Sequence, residues 1–180
     1  DLETTGLHAT HDEILEVGLG IAECSYPFTL LDGGEVFAQV VGWHPDNLPE
    51  MDQIVRDMHD RNGLYLECTA NNGEGLPSVH DVETVLLDFI EDRTDDKRTI
   101  IGGFNPGFDL SFIETKMPTL FKRMHYRKWD VRGFQLFARA AGMPNELYPK
   151  CSRSHRVESD IRDSVATGAA IWQWLGFEKN

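Results

Sequence analysis

The sequence predicts an α/β fold, a sheet flanked by helices. Three observations lead there. Strand-like apolar runs crowd the first 41 residues, helical periodicity takes over from about residue 50, and short apolar strands recur between the later helices. With 180 residues, 41% of them hydrophobic, a single domain over 1–180 can bury a real core. There is no internal repeat, and no linker long enough to divide two domains.

The elements follow in order. Asp1, Leu2 and Glu3 alternate as a strand does, placing both carboxylates on one face. This strand has no beginning, so the native chain is expected to extend before Asp1; a true terminus there would set an α-ammonium beside the carboxylates. Thr4 to Asp12 reads as a loop, and Ile14 to Ala22 as a largely buried strand. Asp32-Gly33-Gly34 supplies a turn, and Glu35 to Val41 returns antiparallel to make a meander. Pro45 and Pro49 bracket a loop, Glu50 to His59 is helical, and Asn71 to Gly75 is a polar break.

A helix from Val79 to Asp92 has Ser78 as N-cap with Asp81 three residues on, and Val82, Val85, Leu86, Phe89 and Ile90 form its core stripe. Glu91 to Lys97 is a charged loop. Thr99 to Ile101 starts a short buried strand, and Asn105-Pro106-Gly107 makes a turn. Helix resumes near Asp109 and breaks before Pro118. A short strand, Lys128 to Val131, leads to a helix from Gly133 to Ala141. The last helix runs from Glu158 to Trp174, with Ile161, Val165, Ala169 and Trp172 at helical spacing.

Composition narrows the function classes. Thirty acidic residues against 17 basic ones give a net charge of −13. That argues against a protein that coats long nucleic acid, because such binding needs many phosphates neutralised by Lys and Arg. A short substrate remains compatible where divalent ions supply local positive charge. No run approaches the roughly 18 apolar residues of a membrane span, and no secretion signal precedes the first motif, so a soluble cytoplasmic protein is expected. Cys24, Cys68 and Cys151 form neither a CxxC nor a Cys/His cluster, and are expected to be reduced thiols.

Four separated pieces carry chemistry: Asp1-Leu2-Glu3-Thr4-Thr5-Gly6, Gly103 to Asp109, Tyr126 within His125-Tyr126-Arg127, and His155 with Asp160 five residues later. Each alone has an ordinary explanation as an edge charge, a helix cap or a solvated side chain. Together, Asp1, Glu3, Asp109 and Asp160 are hard oxygen ligands suited to Mg or Mn. Two such ions can hold the attacking and leaving oxygens of an in-line phosphoryl displacement. His155, expected in a loop just before the helix of Asp160, can take the proton of the attacking water.

These motifs resemble the DEDDh class of 3'-to-5' exonucleases, with Asp-x-Glu-Thr-Thr-Gly, Asn-x-x-x-Asp and His-x-x-x-x-Asp in order. Within that class the chain is most similar to the oligoribonuclease family. Met117-Pro118, His125-Tyr126-Arg127, Asp130-Val131 and Asp160-Ile161-Arg162-x-Ser164-Val165 carry the likeness, as do Met51-Asp52 through His59 to Gly63-Leu64. The resemblance implies an RNase-H-like fold with a mixed central β-sheet flanked by helices, a homodimer, and removal of 5'-monophosphates from the 3' end of short single-stranded RNA.

It also implies roles. Asp1, Glu3, Asp109 and Asp160 would hold two metal ions, and His155 would be the general base. Leu7 would wedge against a base, Tyr126 would reach the partner subunit's site, and Arg127 would grip the 5' phosphate. Asn105 and His59 are further candidate substrate contacts. Two positions depart from the family pattern. Ile54 stands where a stacking tryptophan is expected and offers no aromatic face, and Arg132 stands where a serine of the phosphate pocket is expected. Alternatives are an exonuclease acting on longer DNA or RNA ends and, in another class, a non-catalytic oligonucleotide-binding module.

Overall fold

The structure, a computed structural model, describes residues 1–23, 28–95, 98–152 and 154–176. Cys24 and the Asp96-Lys97 part of the charged loop lie outside the described residues. Strands β1 (Leu2–Thr4), β2 (Ile14–Gly20) and β3 (Val36–Val40) form the expected antiparallel meander. Glu3 pairs with Glu16 and Val17 with Gln39, and the register shifts between Glu3 and Thr4. Asp32, Gly33 and Gly34 all take positive φ, the conformation their turn requires.

Helices α1 (Gln53–Arg61), α2 (Leu64–Thr69) and α3 (Val79–Glu91) follow, then β4 (Thr99–Gly103), α4 (Pro106–Lys116), α5 (Pro118–Arg123) and β5 (Met124–Asp130). Helices α6 (Val131–Ala140) and α7 (Val157–Trp174) complete the order. β4 and β5 are parallel. The architecture is thus the expected α/β one with mixed strand directions, its hydrogen bonding divided between a three-stranded and a two-stranded section among the described residues. A cavity of about 170 Å³ is lined from both sections, by Leu2, Val17 and Leu19 on one side and Thr99 and Ile101 on the other. The main core gathers Leu2, Ile14, Val17, Leu86, Phe112 and Met117 under the meander.

Several expectations need correction. Asn105-Pro106-Gly107 is the entry to α4 rather than a turn before it, because proline at the first helical position brings a preset φ and lacks an amide that would have gone unpaired anyway. β5 begins at Met124 rather than Lys128, so Tyr126 belongs to a strand. α1 begins at Gln53, after Asp52 accepts the Ile54 amide at 2.9 Å. α2 and α5 were not foreseen; at six residues each they are too short to show helical periodicity.

The stripes also shift. In α3, Val85 faces outward while Val82, Leu86, Phe89 and Ile90 are buried. In β4, Ile100 points away from the core because successive strand residues face opposite sides. α7 buries Val157, Ile161, Ser164, Gly168 and Ile171 rather than Val165, Ala169 and Trp172. Gly18 sets that orientation: a β-carbon there would meet Val157 and Ile161 at 2.6–2.8 Å, so α7 lies directly against β2.

Candidate active site

The site starts at β1. Leu2 packs into the core, and Glu3 is buried on the neighbouring position. The Thr-Thr-Gly that follows folds the loop onto itself. Thr5 Oγ1 donates to Asp12 Oδ1 at 3.2 Å and accepts the Glu13 amide at 2.9 Å, and the His8 amide donates to Asp12 Oδ2 at 2.8 Å. This closed loop leaves Leu7 73% exposed beside the strand end.

α4 is tied to the same strand. Asp109, in its first turn and buried, accepts the Leu2 amide on Oδ1 at 3.0 Å. α7 supplies the third side. Asp160 stands in its first turn, His155 in the loop before it, and ligand atoms of Glu3, His155 and Asp160 all lie within 4.8 Å of one another. Asp1 and Asp109 are outside that trio; both line the cavity between the two sheet sections, and the Asp1 main-chain nitrogen donates to the Gly18 carbonyl at 3.1 Å.

The charge distribution of the site is unbalanced. Burial first, then the negative charges of Asp160, Glu16 and Asp109, push the Glu3 carboxyl up to about 8 against the opposing pull of Arg156. Burial also raises Asp160, with Asp163 and Glu16 adding to it and His155 and Ser159 opposing. Carboxylates gathered this closely out of water need a cation to be charged together. The donor set is oxygen-rich with one imidazole, which fits a hard divalent ion.

A second layer holds these groups. Glu16, facing Glu3 across the β1–β2 pair, is buried and accepts from Arg156 Nε at 2.9 and 3.0 Å and from Nη2 at 2.7 Å. It also accepts the Val157 amide at 3.2 Å, while Arg156 reaches Glu67 at 3.0 Å. His59 is fully buried, and its Nε2 donates to the Thr4 carbonyl at 2.9 Å. Burial pushes that imidazole below its ordinary value, against the Thr4 carbonyl bond that opposes it.

The remaining candidates are not members of the trio. Ile54, in the first turn of α1, is 78% exposed, and Tyr126 on β5 is 74% exposed. Tyr126 stacks on His125 with ring centroids 4.4 Å apart, and Arg127 lies 5.5 Å over its ring. Asn105 caps α4 in a left-handed conformation, its amide donating to Asp130 Oδ1 at 3.4 Å. Arg132 lies 4.7 Å over the Phe104 ring and donates to Gln135 Oε1 at 2.7 Å.

Glu16 and Arg156 are the residues that sequence reasoning missed. One signal was available: Glu16 is the lone charge in Ile14-Leu15-Glu16-Val17, and a charge in a buried strand demands a partner. Arg156, adjacent to His155, is that partner.

The chain is similar to known proteins. An oligoribonuclease of Corynebacterium diphtheriae is 32% identical over 167 residues, 92% of this chain and 76% of that protein. One from Mycobacterium leprae is 29% identical over 168 residues, covering 92% and 74%. A probable oligoribonuclease of Schizosaccharomyces pombe is 30% identical over 166 residues, covering 92% and 62%. No protein-family model matches the chain. Among solved structures, product-bound exonuclease I superposes with a TM-score of 0.60 at 14% identity over 96% of this chain and 42% of its own. E. coli exonuclease I in complex with an oligonucleotide gives 0.60 at 16% identity, over 96% and 39%. The likeness to these two is one of fold, since the chain spans only about two fifths of their length.

Proposed function

The chain belongs to the oligoribonuclease family, and from that premise we propose that it is a 3'-to-5' exoribonuclease hydrolysing short oligoribonucleotides to 5'-mononucleotides. The observation that carries this reading is the meeting of Glu3, His155 and Asp160 within 4.8 Å, with Asp109 bonded to the same strand at 3.0 Å. Two divalent ions, Mg or Mn, held by Asp1, Glu3, Asp109 and Asp160 would supply positive charge at the scissile phosphate and make water a better nucleophile.

The chain's own residues do the rest. His155, exposed at the mouth of the trio, takes the proton from the attacking water, a transfer for which imidazole is suited near neutral pH. The water oxygen bonds to phosphorus as the bond to the 3' oxygen of the penultimate residue breaks; that oxygen takes a proton from solvent and stays on the shortened strand, and the terminal nucleotide leaves with its 5' phosphate. Leu7 and Ile54, both largely exposed, offer apolar contact to bases. Arg127 and Arg132 offer charge to the 5' phosphate, and Asn105, at the N-terminal end of α4, offers a polar contact to the substrate; His59, fully buried and bonded to the Thr4 carbonyl, supports the strand end rather than touching substrate. A net charge of −13 favours a short substrate over a long polyanion.

Tyr126, exposed on β5, is read as serving the neighbouring subunit's site in a homodimer of single-domain chains. Cys68 is buried and Cys151 exposed, both as free thiols, which suits the reducing cytoplasm. Among the described residues no helix is long and apolar enough to cross a membrane. Ile54, lacking an aromatic face, leaves open one second reading, action on longer single-stranded DNA or RNA ends, against which the His125-Tyr126-Arg127 segment argues.

Digestion of a 5'-labelled short RNA tests the reaction. Stepwise shortening from the 3' end, with 5'-mononucleotides released and EDTA stopping the reaction, is the expected pattern. Internal cuts or shortening from the 5' end would overturn it.

A further inference from the structure

His155 is exposed and its ring lies within 4.8 Å of the Glu3 and Asp160 carboxylates, a placement that depends on the main chain beneath it. That main chain is in the left-handed region, with φ at +49°. A residue with a β-carbon stays there only where its surroundings fix it.

The surroundings do so from two sides. Asn62, which ends α1, donates from Nδ2 to the Ser154 carbonyl at 3.1 Å and to the His155 carbonyl at 2.7 Å. Its Oδ1 accepts the Leu64 amide at 3.0 Å, so the amide has one orientation that satisfies both ends. On the far side of His155, Arg156 and the Val157 amide are both bound to the Glu16 carboxylate, at 2.7–3.2 Å. Main-chain groups before, at and after the histidine are thereby anchored to α1 and β2.

We propose that Asn62 is a positioning residue for the general base: by holding the carbonyls of Ser154 and His155 it keeps the imidazole beside Glu3 and Asp160. This role rests on the reading of His155 as that base. Glu16 and Arg156 hold the other flank, but Asn62 is the anchor whose alteration disturbs no ion pair of the site.

The test is a double-mutant cycle on the full chain, with a 5'-phosphorylated diribonucleotide, saturating Mg, and kcat and KM measured separately. Asn62→Asp keeps the acceptor for Leu64 and removes the two donors to the loop. Its kcat should fall on the order of 10- to 100-fold, the scale of a misplaced catalytic group, with KM little changed. His155→Ala should fall roughly 100- to 10,000-fold, and the double variant should be no slower than His155→Ala alone.

A normal kcat for Asn62→Asp beside a slow His155→Ala overturns the positioning role and leaves the base assignment standing. Losses that multiply in the double variant also overturn it, because Asn62 would then act independently of the histidine. Undiminished turnover in His155→Ala overturns the base assignment and the proposal with it. Asn62→Ser, smaller and uncharged, is measured in parallel in case the added charge unfolds the chain, and the same non-additivity is required of it.

Discussion

The amide of Leu2 donates to Asp109 Oδ1 at 3.0 Å across 107 positions of sequence. The strand bearing Asp1 and Glu3 is therefore joined to α4 by a carboxylate proposed to hold metal, so one side chain would serve both fold and chemistry. The two contributions can be separated. Asp109→Asn keeps an oxygen for Leu2 but loses the charge, so it should melt at or above the parent's temperature while metal-dependent turnover disappears. Asp109→Ala should lose turnover and also about 1–3 kcal/mol of stability, because a buried amide is left unpaired. Thermal melts beside turnover assays check both, and undiminished turnover in Asp109→Asn would remove Asp109 from the mechanism.

Glu3 makes the metal-free protein sensitive to pH. Its folded value of about 8 lies above the ordinary 4.5. An acid with a raised value contributes stability that is present below 4.5 and is lost progressively as pH rises toward 8. Melting temperatures in EDTA should decline over that window, and Glu3→Gln should flatten the decline. Added Mg should restore stability with a proton released per Glu3 ionised, so apparent metal affinity should climb with pH until about 8. A melting profile in EDTA as flat for the parent as for Glu3→Gln would contradict this electrostatic picture.

Glu16 is expected to be a stability determinant as well as a scaffold. Glu16→Leu leaves Arg156 and the Val157 amide without their shared acceptor and should cost about 3 kcal/mol in urea denaturation. That is the lower end for breaking a buried pair, since Arg156 is partly solvated. A change under about 0.5 kcal/mol, the range of ordinary surface substitutions, would show that the pair is dispensable.

Ile54 offers a gain-of-function test. Its side chain is 78% exposed at the start of α1. An aromatic ring there should add base stacking of about 1–3 kcal/mol when it reaches the substrate. Ile54→Trp should therefore lower KM for a diribonucleotide on the order of 10-fold with kcat nearly unchanged. An unaltered KM would move the substrate's bases away from α1.

Much of the fold was legible because its signals are local. Ser78 with Asp81, the Asp32-Gly33-Gly34 turn and the apolar run of β2 each specify their element from neighbouring residues, and each element is present where expected to within two residues. What was not legible depends on tertiary contacts. α2 and α5 are six-residue helices stabilised by packing, and the buried stripe of α7 is set by its close approach to Gly18 rather than by its own apolar pattern. The site divides the same way. Motif order singled out Glu3, His155 and Asp160, which the fold brings together. The Asn62 contacts with the His155 loop span more than 90 positions and leave no trace in local sequence.

The most direct measurement is a product time course for a 5'-phosphorylated diribonucleotide and a long single-stranded RNA, each with Mg, Mn or EDTA. Rapid metal-dependent loss of the diribonucleotide with slow attack on the long strand is the expected result, despite Ile54 and Arg132. Preference for the long strand would contradict the short-substrate assignment and place the activity on longer ends, and no cleavage of either RNA would contradict the enzyme reading itself.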